Sequence, residues 1–427
     1  MAILVNCINI IILIIFLIYN KKNICSPGTF FSLIWITVLV LYNFRIGLYT
    51  IRIDTAGILL AGNILYTVGY LMLDRLYKKH TFFMPQKNIE NRNTNMGLCL
   101  VGVAILFMSL PYYLPLLVRF FQGYTIDENK MLIVTDQYSR GGVIMQYIVR
   151  PFEFIIVAVA AYRVTNKSKK ASIDITLIIL AMIFTLLELF CIGSKTHIIY
   201  FLLALLSLVD ITKLFNVKEY RKHFLLIFGI ILVCIISVFI VRKSIFYTLY
   251  VYATGCVVML DNVIHDSFYW SDGLTYGFLS FNSVFRVIFK GLGIIGVPEP
   301  NVFKRAEEYF FRFECTSKIG PGDDMKYNAF TTYLSDFYID LGWLGVIIFS
   351  FLFGFVTNYI YKRYLKEKSL EYGVLLVLTQ YSIIFSIVRF QMSHTVFGLA
   401  VIYVVLYICI KRIRERIKYG KAKINKS

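Results

Sequence analysis

The stretch Tyr327–Gly345, YNAFTTYLSDFYIDLGWLG, decides how the chain is read. It closes a long polar segment and hands it to an apolar run, Leu341 to Tyr361, long enough to cross a bilayer. Soluble chemistry therefore meets a membrane here. Asn328, Thr331, Asp336, Tyr338 and Asp340 put amide, hydroxyl and carboxylate groups where water meets lipid. Gly342 and Gly345 leave room for another backbone or a ligand to approach the start of the helix. Read plainly, this is an interfacial segment with aromatics at headgroup depth and Asp336 or Asp340 capping the helix N-terminus. Read functionally, both carboxylates face the outer surface, and Asp340 can orient a hydroxyl or draw its proton.

Working outward, the 427 residues are 58% hydrophobic and 16% charged, more apolar than a soluble core can hide. The composition predicts an all-α polytopic membrane protein. Apolar runs occur at Ala2–Tyr19, Gly28–Leu48, Ala56–Leu73, Gly97–Val118, Val143–Tyr162, Ile175–Ile192, Thr196–Val209, Phe224–Val241, Leu341–Tyr361, Tyr372–Val388 and Thr395–Ile410. About eleven transmembrane helices result, the seventh of them short. The first run lacks a basic start and a small-residue cleavage site, so it reads as a retained helix. The eight cysteines are scattered without a CxxC pair, most of them inside apolar runs, and read as small hydrophobes.

Lys and Arg cluster in alternate connections and in the tail, which assigns those loops to the cytoplasm. That side carries 27 Lys/Arg against 8 Asp/Glu, and the remainder carries 17 of each, so the whole formal +19 is cytoplasmic. Topology and anionic inner-leaflet lipid account for the basic charge, with no call on nucleic acid as a partner. The expected orientation has the N-terminus outside and the C-terminus inside. Three regions follow: helices 1 to 8 over 1–241 with an outer loop at 119–142, a large extracytoplasmic loop over 242–340 with short interfacial helices, and helices 9 to 11 with a basic tail over 341–427. The segment Ser244–Leu260 is expected to lie on or dip into the membrane. Ile319–Asp324, IGPGDD, is expected to turn.

Outer-face cations are few and individually set: Arg140, Arg150, Lys195, Arg286, Arg312 and Arg389 among them. Charges bordering apolar runs usually have a partner or a task. Convergent cations suit a pyrophosphate, which guanidinium groups bind bidentately and whose departing charge they stabilise. For Arg150 the plain alternative is an intrahelical pair with Glu153. Lys195, in CIGSKTH, sits between Ser194 and Thr196 in a tight hairpin with the makings of an anion site. His265, between Asp261 and Asp266, is a candidate general base held by a carboxylate. Asp323 and Asp324 follow Gly-Pro-Gly and read as a turn before they read as a metal site. Glu188 is the single clear buried acid. A transporter would place charges in its spans and keep its outer loops short, and this pattern reads as the reverse.

The loop pattern, the GSK at Gly193–Lys195 and NAFTTYLSDFYIDLGWLG together resemble the Wzy-type polymerases of O-antigen and capsular repeat units. The resemblance is carried by Asn328, Thr331, Tyr338, Asp340, Gly342 and Gly345, with Leu341 where the family shows Phe and Lys195 where it shows Arg. It implies a GT-C-like fold and a bacterial cytoplasmic-membrane glycosyltransferase. Such an enzyme transfers a glycan from undecaprenyl pyrophosphate to a new lipid-linked repeat unit, with no metal and no cofactor. The implied partners are the lipid-linked donor and acceptor, membrane lipid and a chain-length regulator. The residues expected to carry catalysis are Asp340, Lys195, Arg140 and His265. Those expected to bind substrate are Arg150, Arg286, Arg312, Asn328, Thr331, Asp336, Tyr338 and Arg389. The competing readings are an O-antigen ligase and a polysaccharide flippase.

Overall fold

Within lipid a chain can satisfy its backbone only internally, so long apolar runs become helices. The computed structural model describes residues 2–20, 23, 25–79, 92–125, 128–129, 139–165, 172–192, 196–208, 245–270, 272–313, 315, 317–322, 326–327 and 331–424. In order, the helices begin α1 Ala2–Tyr19, α2 Pro27–Asn43, α3 Ile53–Lys79, α4 Arg92–Phe121 and α5 Ser139–Ile144. A π-helical turn, Met145–Val149, leads into α6 Arg150–Thr165, followed by α7 Ser172–Ile192 and α8 Thr196–Leu208. Next come α9 Ile245–His265, α10 Ser267–Trp270, α11 Asn282–Ile294 and α12 Asn301–Arg312. The strands β1 Ser317–Lys318 and β2 Lys326–Tyr327 pair antiparallel, with Ser317 opposite Tyr327, and bracket the segment expected to turn. The chain closes with α13 Tyr333–Leu341, α14 Trp343–Glu367, α15 Leu370–Ile384 and α16 Thr395–Ile424.

Among the described residues, seven helical stretches are long and apolar enough to cross a bilayer. They are Ile53–Leu73, Met96–Phe121, Gly142–Thr165, Asp174–Ile192, Trp343–Glu367, Leu370–Ile387 and Thr395–Glu415. The protein is thus an all-α, multi-pass membrane protein. The first, second and seventh expected spans are shorter apolar helices, Val5–Tyr19, Pro27–Asn43 and His197–Leu208. The eighth, Phe224–Val241, lies outside the described residues, as do Lys195, Asn328, Asp323, Asp324 and the side chain of Arg140.

The chain divides into two compact units. One comprises Met1–Pro85, Val209–Leu365 and Thr379–His394; the other comprises Gln86–Leu208, Lys366–Leu378 and Thr395–Ser427. The first unit has an aromatic core. Phe31 stacks on Tyr66 with ring centroids 3.8 Å apart, Tyr333 and Phe353 pack edge-on against Phe31, and Trp35 packs edge-on against Tyr333. The segment expected on the membrane forms α9, whose Cys256–Leu260 run is fully buried in this core.

Helices α3 and α14 touch backbone to backbone through small residues, the usual way for helices to meet where lipid gives no hydrophobic drive. A Cβ on Gly69 would sit 2.0 Å from the Phe351 carbonyl oxygen, and one on Gly354 would sit 1.9 Å from that of Tyr66. Neither oxygen can swing away as a side chain would. Gly354→Ala is therefore expected to cost about 1–3 kcal/mol, read as a lowered melting temperature of the detergent-purified protein. An unchanged melting temperature would mean that the two helices separate freely.

In the second unit, α4, α6, α7, α8 and α16 pack together. In the π-turn, the Tyr147 carbonyl accepts from the Tyr403 hydroxyl of α16 at 2.6 Å. At the ends of the last helices Lys411 pairs with Glu371 at 2.6 Å, and Arg412 donates to the Tyr372 hydroxyl at 2.5 Å.

Candidate functional site

The site is built on α13, nine residues that send polar groups in three directions. Thr332, extended at φ −152°, caps the helix: its side chain accepts from Leu334 N–H, while Ser335 closes a capping box. Neither Asp336 nor Asp340 caps the membrane-crossing helix that follows: both lie inside α13, and Gly342 stands just before α14. At the far end Gly342 takes φ +62°, a left-handed value that lets the chain break between α13 and α14. A Cβ on Gly345 would meet the Phe337 carbonyl oxygen at 1.9 Å, so the backbone that approaches this glycine is that of α13 itself.

Asp340 points inward. Its Oδ1 accepts from the Thr275 hydroxyl at 2.5 Å and from the N–H groups of Gly277 at 2.9 Å and Leu279 at 3.1 Å. Its Oδ2 accepts from Ser280 N–H at 2.9 Å. Burial pushes its carboxyl up, while the bonds from Ser280 and Thr275 pull it down. The expectation that Asp340 faces the outer surface is corrected: it is fully buried and folds the 275–280 turn around itself.

Asp336 is buried as well, again contrary to expectation. Its Oδ1 lies 3.5 Å from Arg389 Nε, and its Oδ2 accepts from Phe390 N–H at 3.2 Å. The Arg389 guanidinium lies 3.5 Å over the Phe310 ring, a desolvated cation–π contact. Arg389 is therefore an internal tie. Thr331 is also buried, its N–H donating to the Val388 carbonyl at 3.1 Å.

Burial pushes the Asp336 carboxyl up to about 7, with Arg389 opposing the rise. The folded chain keeps this proton to near neutrality, whereas the unfolded chain releases it near 3.8. Stability must then fall as pH rises through that window. Wild-type protein is expected to melt higher at pH 5 than at pH 8, and Asp336→Asn to flatten that slope. A slope unchanged in the variant would remove Asp336 as its source.

The third direction carries the candidate chemistry. Tyr338 is half-buried; burial pushes its phenol up, and the nearby Asp54 carboxylate adds to the rise. Asp54 opens α3, and its Oδ2 lies 3.1 Å from His265 Nε2 at the end of α9. Asp261 Oδ1 lies 3.8 Å from the same nitrogen and is fixed by Thr55 Oγ1 at 2.5 Å and Arg52 N–H at 2.9 Å. His265 thus sits between Asp54 and Asp261, whereas the sequence suggested Asp261 and Asp266. Asp266 instead accepts from Phe268 N–H at the start of α10. A ring N–H donating to Asp54 leaves Nδ1 as the basic nitrogen of the neutral imidazole. The ring is partly exposed, at 18%, so a hydroxyl-bearing ligand can reach it.

Among the described residues, the loop cations expected to converge are answered locally. Arg286 pairs with Glu307 at 2.9 Å, and Arg312 pairs with Asp272 at 2.5 Å while lying over the Phe268 and Tyr309 rings. Lys290 meets Glu299 at 2.6 Å. An open groove along α12 is lined by Lys304, Glu307, Glu308, Phe311 and Arg312, a mixed-sign surface.

Arg150 belongs to the second unit, where its Nε lies 3.4 Å from Glu188, and not in the intrahelical pair with Glu153 that the spacing suggested. Glu153 is fully buried too, so Glu188 is not a single buried acid, and the spans do carry charge. Sequence reasoning missed Asp54, whose pairing with His265 spans 211 residues of chain, and Tyr113 and His197 beside Glu188, and it named Glu153 only as a partner for Arg150. The one local signal was Asp261 four residues before His265 on a single helix. Among the described residues no group of His, Cys, Asp or Glu is arranged to hold a metal ion. No protein-family model matches this chain, and no curated protein or solved structure does either.

Proposed function

We propose that this protein polymerises undecaprenyl-pyrophosphate-linked repeat units by block glycosyl transfer at the outer face of a bacterial cytoplasmic membrane. The same reading has eleven crossings in a GT-C-like arrangement, with the 242–340 loop outside and the basic tail inside. What supports it most is the carboxylate-held imidazole of His265 beside the first residues of a membrane-crossing helix. An acceptor sugar hydroxyl presented to Nδ1 loses its proton as it attacks the lipid-linked anomeric carbon, and the diphosphate leaves. Asp54 orients the ring, and Asp340 shapes the adjoining turn as a positioning residue. The diphosphate itself is a good leaving group, so the step asks for charge stabilisation more than for metal chemistry.

Reconstituted protein given a lipid-linked oligosaccharide in strong chelator is expected to lengthen the glycan and release undecaprenyl pyrophosphate. Activity that vanishes in chelator and returns with magnesium or manganese would move the chemistry to a metal site. A second reading, proton-coupled transport of the lipid-linked glycan, is favoured by one observation, the charged cluster of Arg150, Glu153 and Glu188 inside apolar helices. It predicts that the purified protein leaves glycan length unchanged.

A further inference from the structure

Five side chains from four apolar helices meet inside the second unit: Tyr113 of α4, Arg150 and Glu153 of α6, Glu188 of α7 and His197 of α8. Tyr113 and Glu153 are fully buried, and Glu188 and His197 nearly so. The Tyr113 oxygen lies 2.7 Å from Glu188 Oε1 and 3.0 Å from Glu153 Oε1. Arg150 Nε lies 3.4 Å from Glu188 Oε1. His197 Nε2 lies 3.7 Å from Glu153 Oε2, and neither atom has a hydrogen-bond partner among the described residues. Among the described residues, Tyr112 beside Arg150 and Cys191 beside Glu188 are further titratable groups facing the cluster. From α16, Phe397 packs edge-on against Phe154, and Tyr403 stacks on Phe152 and donates to the Tyr147 carbonyl.

Two independent counts give the same answer. A phenol has one proton and can donate to one carboxylate; two carboxylate oxygens on one hydroxyl require that one carboxyl bring a proton of its own. Charge agrees, because Arg150 balances one glutamate, and a second bare carboxylate in an apolar span would be costly. Glu188, next to Arg150, is the ionised member, so the extra proton belongs to Glu153. Protons then run in one direction, from Glu153 to the Tyr113 oxygen and from Tyr113 to Glu188.

We propose that this cluster is an intramembrane proton site that holds one proton on Glu153, with His197 as the group that exchanges it. Transfer from Glu153 to His197 Nε2 breaks one O–H bond and forms one N–H bond, leaving a carboxylate–imidazolium pair of unchanged total charge. Loss of the proton from the site leaves a net negative charge that a new proton or a cationic group must answer. The π-helical turn just before Arg150 fits such a role, since π-bulges recur where a helix is bent to functional use. The inference is independent of the polymerase reading.

The test is infrared spectroscopy of the full-length protein in lipid nanodiscs at neutral pH, taken as wild type minus variant. Glu153→Gln keeps a donor toward Tyr113 but has no carboxyl proton. The difference spectrum is expected to show loss of one carboxylic-acid carbonyl band, with an unchanged melting temperature. Subtraction cancels any band from Asp336 or Asp340. Tyr113→Phe, which removes the acceptor, is expected to shift that band to higher frequency and serves where the glutamine variant does not fold. No carboxylic-acid difference for Glu153→Gln, or a band that Tyr113→Phe leaves in place, overturns the proposal.

Discussion

Replacing His265 by alanine is expected to slow glycan extension by about 10²–10⁴-fold while leaving the melting temperature within a degree or two of wild type. The first half follows from geometry: the ring is held through Nε2 by Asp54 at 3.1 Å, so its other nitrogen is oriented and basic. The second half follows from exposure. The Asp54 side chain is half-exposed, and ion pairs of that kind contribute about 0–1 kcal/mol to stability. Asp54→Asn should lose less activity than His265→Ala, because it loosens the ring without removing it. Full-length polymer from the alanine variant would leave His265 as a surface ion-pair member and remove the base from the mechanism.

Asp340 is expected to behave in the opposite way, losing fold before function. Asp340→Ala leaves four donors, from Thr275, Gly277, Leu279 and Ser280, buried around an empty acceptor position. A buried orphan costs about 1–3 kcal/mol, and several together consume much of a domain's stability of roughly 5–15 kcal/mol. Asp340→Asn keeps one acceptor oxygen but turns an NH₂ group toward a donor, so it should fall between wild type and alanine. The expected order of melting temperature is wild type, Asn, Ala, with polymerisation per folded molecule retained in Asn. A normally folded Asp340→Asn protein that makes no polymer would restore a direct chemical role.

What the sequence could carry was anything set by period and proximity. Membrane spans are legible because the hydrocarbon core fixes their length and the backbone has one way to satisfy itself there. Tyr327–Gly345 was legible as a junction, and Gly345 as a close backbone approach. The direction of Asp336 and Asp340 was not. A carboxylate at a polar-to-apolar boundary looks the same whether it faces water or anchors a turn 60 residues upstream in sequence. Arg389 shows the same ambiguity, since its partner Asp336 and its ring Phe310 come from two other parts of the chain. The cluster around Glu188 was missed because its members come from four separate apolar runs, joined only when the helices pack.

The most direct test of the polymerase reading is to delete the gene and separate the surface polysaccharide on a gel. The expected result is a product of single repeat units, with the full ladder restored by wild-type protein and not by His265→Ala. An unchanged ladder in the deletion strain, a loss of all attached glycan, or repeat units accumulating inside the cell would contradict it.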